Sequence, residues 1–207
     1  MGGLVVETIV GSVLLFGGLT LAIMYASRFT DQQMQRWGNV ASEFGLSCHE
    51  YGSVPPQPRI WGTVGRVQVD VAAVYREDGQ IFTRWRFTYP RQCSEDFTLC
   101  KRSMLSRPDR SVDVAIDDEK FERAVQIDTD NQYTVAGYLT PTRRREILVM
   151  LDSWPTAQVT ATSVFIEEHV VHKTEDALRN RMNVLLPIAE VLAPPQDRPP
   201  PQDRKLE

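Results

Sequence analysis

The chain opens on a stretch in which polar and apolar positions do not alternate. From Thr8 to Ala26 nineteen residues pass without a charge. As a helix rising about 1.5 Å per residue they span about 28 Å, close to the roughly 30 Å of a bilayer's hydrocarbon core. Gly11, Gly17 and Gly18 would weaken such a helix in water. In lipid every backbone group must be satisfied within the segment, so helix is the spanning form open to a lone stretch. A cleaved signal peptide is disfavoured by the lack of Lys or Arg in residues 1–7, the length of the apolar run and the absence of a small-x-small site after it. A buried core helix is disfavoured by the unbroken apolarity. The expectation is a single-pass transmembrane anchor over residues 1–28. No basic residue precedes the span, whereas Arg28 and Arg36 follow it, so the positive-inside rule puts the C-terminal domain on the cytoplasmic side of a cell inner membrane. Gly18, Ala22 and Ala26 recur every four residues and form a small-residue stripe where a second helix could approach. The plainer reading is that small residues are common in membrane helices.

Beyond the anchor the pattern changes. Met34, Trp37, Val40, Ala41 and Phe44 fall at helical spacing, and the loop Gly52 to Pro58, with Pro55, Pro56 and Pro58, ends that helix. Residues 29–57 therefore read as a juxtamembrane helix and a Pro-rich loop. Val67, Val69, Val71, Ala73 and Tyr75 then alternate with period two. After Glu77-Asp78-Gly79 a returning run places Ile81, Trp85, Phe87 and Tyr89 in one parity, which predicts a β-hairpin with Gly79 in the left-handed position of its loop. Shorter alternations at Phe97 and Leu99, at Val112, Val114 and Ile116, and at Val125 and Ile127 extend the sheet. Thr140 as N-cap and Pro141 at the first helical position open a helix through Ile147, Leu148 and Leu151 to near Asp152. Residues 157–171, rich in Val, Thr, Phe and Ile, return to strand. Thr174, Glu175 and Asp176 start a last helix with Leu178, Met182, Leu185, Ala189 and Leu192 on one face, and Pro187 is expected to kink or end it. This order predicts an α+β domain over residues 58–192, an antiparallel β-sheet with helices packed on one side. The tail, residues 193–207, repeats PPQDR at 194–198 and 200–204. That composition predicts an extended, disordered segment, and no two of its prolines stand three apart as an SH3-type ligand requires.

Within this frame the run IWGTVGRVQVDV with its returning strand, the run FERAVQI and the run LTPTRRREILVML resemble a pattern found in bacterial single-pass membrane-anchored proteins of unknown function. The resemblance spans residues 37–190 and rests on core and turn positions. It implies the anchored α+β architecture and no active site.

Charge narrows the function classes. A net charge of −4 and a pI near 5.5 supply no protein-wide positive field for a polyanion, so nucleic acid is not an expected partner. Of the 23 basic residues 19 are Arg and four are Lys, a usage associated with GC-rich bacterial coding. Cys48, Cys93 and Cys100 are odd in number and too few for a disulfide framework, which fits a reducing compartment and leaves a Cys93–Cys100 bridge open.

Candidate chemistry is sparse. His169 and His172, behind Glu167 and Glu168, offer metal-ligand types. The segment VFIEEHVV reads as strand, however, so the two histidines diverge and a surface or edge-strand role is the plainer reading. Cys48-His49 with Cys93 and Cys100 lacks the spacing of a zinc knuckle, and adjacent residues on an extended chain cannot act as a catalytic pair. Asp128-x-Asp130 begins like a calcium loop, yet Tyr133 stands where Gly is needed and Leu139 where Glu belongs; a polar hairpin turn fits better. No P-loop, dinucleotide fingerprint, HExxH or GxSxG occurs. Arg143, Arg144 and Arg145 sit in the first turn of a helix, where cations oppose the macrodipole. They read either as a contact for lipid headgroups or an acidic partner or as intramolecular ion pairs. With no cofactor or metal site indicated, the expected function is a membrane-tethered, non-enzymatic protein-interaction or scaffold module that binds the bilayer through residues 8–26 and a protein partner or a homo-oligomer. The alternative is a membrane-anchored, hydrolase-like enzyme or ligand sensor whose site assembles from distant residues.

Overall fold

The structure, a computed structural model, describes residues 31–52, 57–75, 80–90, 96–102 and 116–194. Period-two alternation governs most of it. Eight strands form one antiparallel sheet: β1 (Ser47–Tyr51), β2 (Gln57–Val64), β3 (Val67–Tyr75), β4 (Ile81–Thr88), β5 (Phe97–Lys101), β6 (Val125–Thr129), β7 (Gln158–Thr160) and β8 (Ser163–Glu168). Their spatial order is β1-β2-β3-β4-β8-β7-β5-β6. The predicted hairpin is β3–β4, closing at Tyr75↔Ile81. One register row, Val69, Phe87, Val164, Val159, Leu99 and Ile127, crosses from β3 to β6 on the core face, and every member is buried.

Against this face lie α1 (residues 31–43), α2 (Glu119–Ala124), α3 (Gln132–Tyr138), α4 (Pro141–Ser153) and α5 (Glu175–Leu192). Trp37 of α1, Phe121 of α2, Val135 of α3, Ile147 of α4 and Leu178 of α5 all belong to one apolar cluster with the sheet. Each such side chain, fully buried, contributes roughly 1.5 to 3 kcal/mol. The caps follow the sequence signals: Thr140 accepts from the Arg143 N–H at 3.4 Å and Thr174 from the Ala177 N–H at 3.3 Å.

Several expectations are corrected. The described part of the expected juxtamembrane segment 29–57, residues 31–52 and 57, does not stand apart from the domain: Trp37, Val40, Ala41 and Leu46 join the core, and the sheet begins at Ser47 rather than at residue 58. Pro58 lies within β2 but beyond the last β2–β3 partner, Arg59↔Ala72, so its missing N–H interrupts no bond of that ladder. Asp128 to Asp130 do not turn a hairpin; Asn131 caps α3 by accepting from the Tyr133 and Thr134 N–H groups. Pro187 does not end α5, which runs on to Leu192. Residues 157–171 divide into two strands at Ala161-Thr162, and Ile116 is buried outside any strand. The expected anchor, Gly79, Val112, Val114 and residues 195–207 lie outside the described residues. Among those described, no helix is long and apolar enough to cross a membrane.

Four of the described glycines take a positive φ, and two of them shape the sheet. Gly65 (φ +54°) turns β2 into β3. Gly62 (φ +148°) lies under Leu46, whose Cδ2 would stand 2.8 Å from an added Cβ.

Candidate functional site

The most concentrated polar group in the core is Glu168. As the last residue of β8 it shares parity with Val164 and Ile166, so its side chain enters the apolar side of the sheet, where it is 7% exposed. Its Oε2 accepts from Trp85 Nε1 at 2.8 Å and lies 2.8 Å from His172 Nε2. Its Oε1 accepts from Trp154 Nε1 at 2.8 Å and pairs with Arg181 Nε at 3.1 Å. Burial by itself raises the carboxyl pKa. Hydrogen bonds from His172 and Trp154, with the charges of His172 and Arg181, outweigh it and hold Glu168 below the usual carboxylate range. Each oxygen already has two partners, so the carboxylate offers no free lone pair to a substrate.

The two histidines part, as expected, but not as residues of one strand, because both lie past the end of β8. His169 is exposed and packs edge-on against Phe82, ring centroids 4.6 Å apart. His172 is buried on Glu168 and meets Trp85 at 5.6 Å; the surface reading is wrong for it. Among the described residues no group of three His, Cys, Asp or Glu side chains is placed to hold a metal ion. Cys48 and His49 also diverge. The Cys48 thiol faces the core, where burial pushes it up to about 11, and His49 stands against Trp61 on the other side of the sheet.

The three arginines do not form one patch. Arg143 donates to the carbonyls of Tyr138, Val191 and Ala193 at 3.0, 3.1 and 2.8 Å and lies over the Tyr138 ring. It therefore sits at the C-terminal end of α5, where the dipole favours a cation, and this offsets its unfavourable place at the start of α4. Arg144 is largely covered and lies 3.5 Å from Asp118, whereas Arg145 is exposed beside Glu146. Gly18, Ala22 and Ala26 lie outside the described residues.

The face of the sheet opposite the helices carries side chains that sequence reasoning passed over. In register, Trp61 of β2 pairs with Asp70 of β3, Asp70 with Arg86 of β4, and Arg86 with Phe165 of β8. Trp61 is 48% and Tyr51 46% exposed. Arg59 forks onto Asp70 with two 2.7 Å contacts and covers Tyr51; Arg84 pairs with Glu167 at 2.9 Å. Arg86 is exposed and lies over Phe165. Farther along the same face an open trough of about 480 Å³ is lined by Asp96, Thr98, Asp128, Asp130, Thr160 and Ser163 among others. The signal for this face was parity: residues between the apolar positions of β2, β4 and β8 include Trp61, Arg84, Arg86 and Phe165.

No protein-family model, curated protein or solved structure matches the chain.

Proposed function

We propose that this chain is a non-enzymatic protein-interaction module, tethered as a single-pass bacterial inner-membrane protein by residues 8–26, with its α+β domain on the cytoplasmic side. The observation that carries this reading is the open sheet face, on which half-exposed Trp61 and Tyr51 stand beside Arg59 and Arg86. Trp, Tyr and Arg are the residues most enriched at protein interfaces and their hot spots. The uncharged stretch before α1 supports the tether.

The test uses the full chain in native membranes. It should resist alkaline carbonate, and a reporter after Glu207 should read cytoplasmic. A photo-crosslinking residue at Trp61 should capture a protein, whereas the same residue at Val149, on the exposed side of α4, should not. Extraction by carbonate ends the tether; equal capture at both positions ends the interaction face. The polar trough favours a second reading, an anchored ligand sensor or hydrolase-like enzyme. In that case Asp128→Asn, rather than Trp61→Glu, would abolish function in cells.

A further inference from the structure

Helix α1 is the element nearest the expected anchor, and its polar attachments converge on one place. Trp37 Nε1 donates to the His172 carbonyl at 3.0 Å, and Arg36 to the Lys173 carbonyl at 2.8 Å. Asn39 donates to Glu175 at 2.8 Å, and Glu43 receives both Arg179 contacts at 2.6 Å. Every side-chain hydrogen bond or ion pair recorded between α1 and other described elements thus ends on residues 172–179. The connector between β8 and α5, residues 169–174, is in turn pinned from inside the core: His172 Nε2 meets Glu168 at 2.8 Å, and Thr83 Oγ1 donates to the Val170 carbonyl at 2.6 Å. One residue, His172, therefore faces both ways, its ring toward the buried carboxylate and its carbonyl toward the α1 indole.

We propose that residues 169–174 form a latch, set by Glu168, that determines whether α1 is docked on the sheet. The physical reason is continuity. If the His172 ring loses its acceptor, the connector keeps only the Thr83 bond to the Val170 carbonyl as an inner fixed point, and the His172 and Lys173 carbonyls that hold Trp37 and Arg36 are released from the core. The rest of α1's attachment is apolar packing by Trp37, Val40 and Ala41, which is non-directional, and the exposed contacts of Asn39 with Glu175 and Glu43 with Arg179 at the start of α5, for which water competes. Sheet and helix are then linked through this connector, whose residue His172 contacts both. Because α1 leads into the anchor, the latch would set how the domain stands on the membrane; this last step rests on the tether proposed above.

The test is amide hydrogen exchange on the full chain in detergent micelles. In Glu168→Gln, exchange over residues 31–43 should rise at least tenfold more than exchange over β3, in the sheet centre, which follows only the global loss of stability. Trp37→Phe, which removes the indole N–H along with part of the buried ring, should loosen α1 without touching Glu168. Combined with Glu168→Gln it should add less than the product of the two single effects, since both break one chain of contacts. Unchanged protection of α1 in Glu168→Gln, equal loss across α1 and β3, or fully multiplicative effects would each overturn the latch. Carbonate extraction is independent of these readouts, so a failed tether and a failed latch are told apart.

Discussion

Replacing Glu168 by Ala removes the acceptor of three buried donors, Trp85 Nε1, Trp154 Nε1 and His172 Nε2, and of the half-exposed Arg181. A buried donor left unmade costs about 1 to 3 kcal/mol. Arg181 can turn to water and adds little. Water entering the vacated space offsets part of the rest, so the expected loss is about 3 to 5 kcal/mol, the range seen when one member of a buried charge pair is deleted. With a urea slope of about 2 kcal/mol/M the midpoint falls by roughly 1.5 to 2.5 M. Glu168→Gln keeps one acceptor oxygen and should lose about half as much. The pH dependence has a definite sign. The folded carboxyl titrates below its ordinary value of 4.5, so its contribution is complete above that value and is lost as pH falls through the folded one. Wild type should therefore weaken from near pH 4.5 downward more steeply than Glu168→Gln. The assay is urea unfolding of the full chain in mild detergent, followed by tryptophan fluorescence between pH 3 and 8. A loss below 1 kcal/mol for Glu168→Ala at pH 7 would refute the reasoning, because it would mean that the indoles and imidazole find other acceptors.

Three further outcomes are expected. Arg143→Gln frees the Val191 and Ala193 carbonyls at the end of α5 and the Tyr138 carbonyl at the end of α3 and should cost about 1 to 3 kcal/mol in the same unfolding assay, with Arg143→Lys intermediate because an ammonium cannot fork onto all three. Gly62→Ala forces a left-side backbone angle and a contact with Leu46, and should cost about 1 to 3 kcal/mol, visible as a lowered Tm. The Cys48 thiol, raised to about 11, should react with a maleimide at pH 7.5 at least tenfold more slowly than a free cysteine.

Period-two patterning carried the hairpin β3–β4 into the structure, and helix-start signals carried the capping residues Thr140 and Thr174, because those signals are local. What failed was long-range. β1 could not be read, since four of its five residues are exposed and show no apolar alternation. The short helices α2 and α3 have capping signals, at Asp118 and Asn131, but only one or two buried residues each. Pro187 was overruled by tertiary packing, as Leu185, Leu186, Ile188 and Ala189 around it are all buried. Glu168 was legible in principle, two positions after Ile166 on the inward parity. Its partners Trp85, Trp154 and Arg181 come from other elements, and no spacing in the sequence announces that they meet. Arg143 was misjudged for a similar reason: the local dipole argued against it, and the α5 terminus that welcomes it is about 50 residues away.

The seam between β4 and β8 joins parts of the chain made far apart in time. Arg84 and Glu167, which face one another there, are 83 positions apart. At roughly 5 to 20 residues per second of synthesis, the meander β1 to β4 waits about 4 to 16 s for the strand that completes it. Through that interval Val69, Val71, Trp85 and Phe87 present a greasy surface that α1 alone of the five helices is there to cover, beside an unmated ribbon edge. Nascent chains at this stage are the form most exposed to mispairing, and the ribosome-bound intermediate, rather than the finished protein, is where a chaperone would be needed.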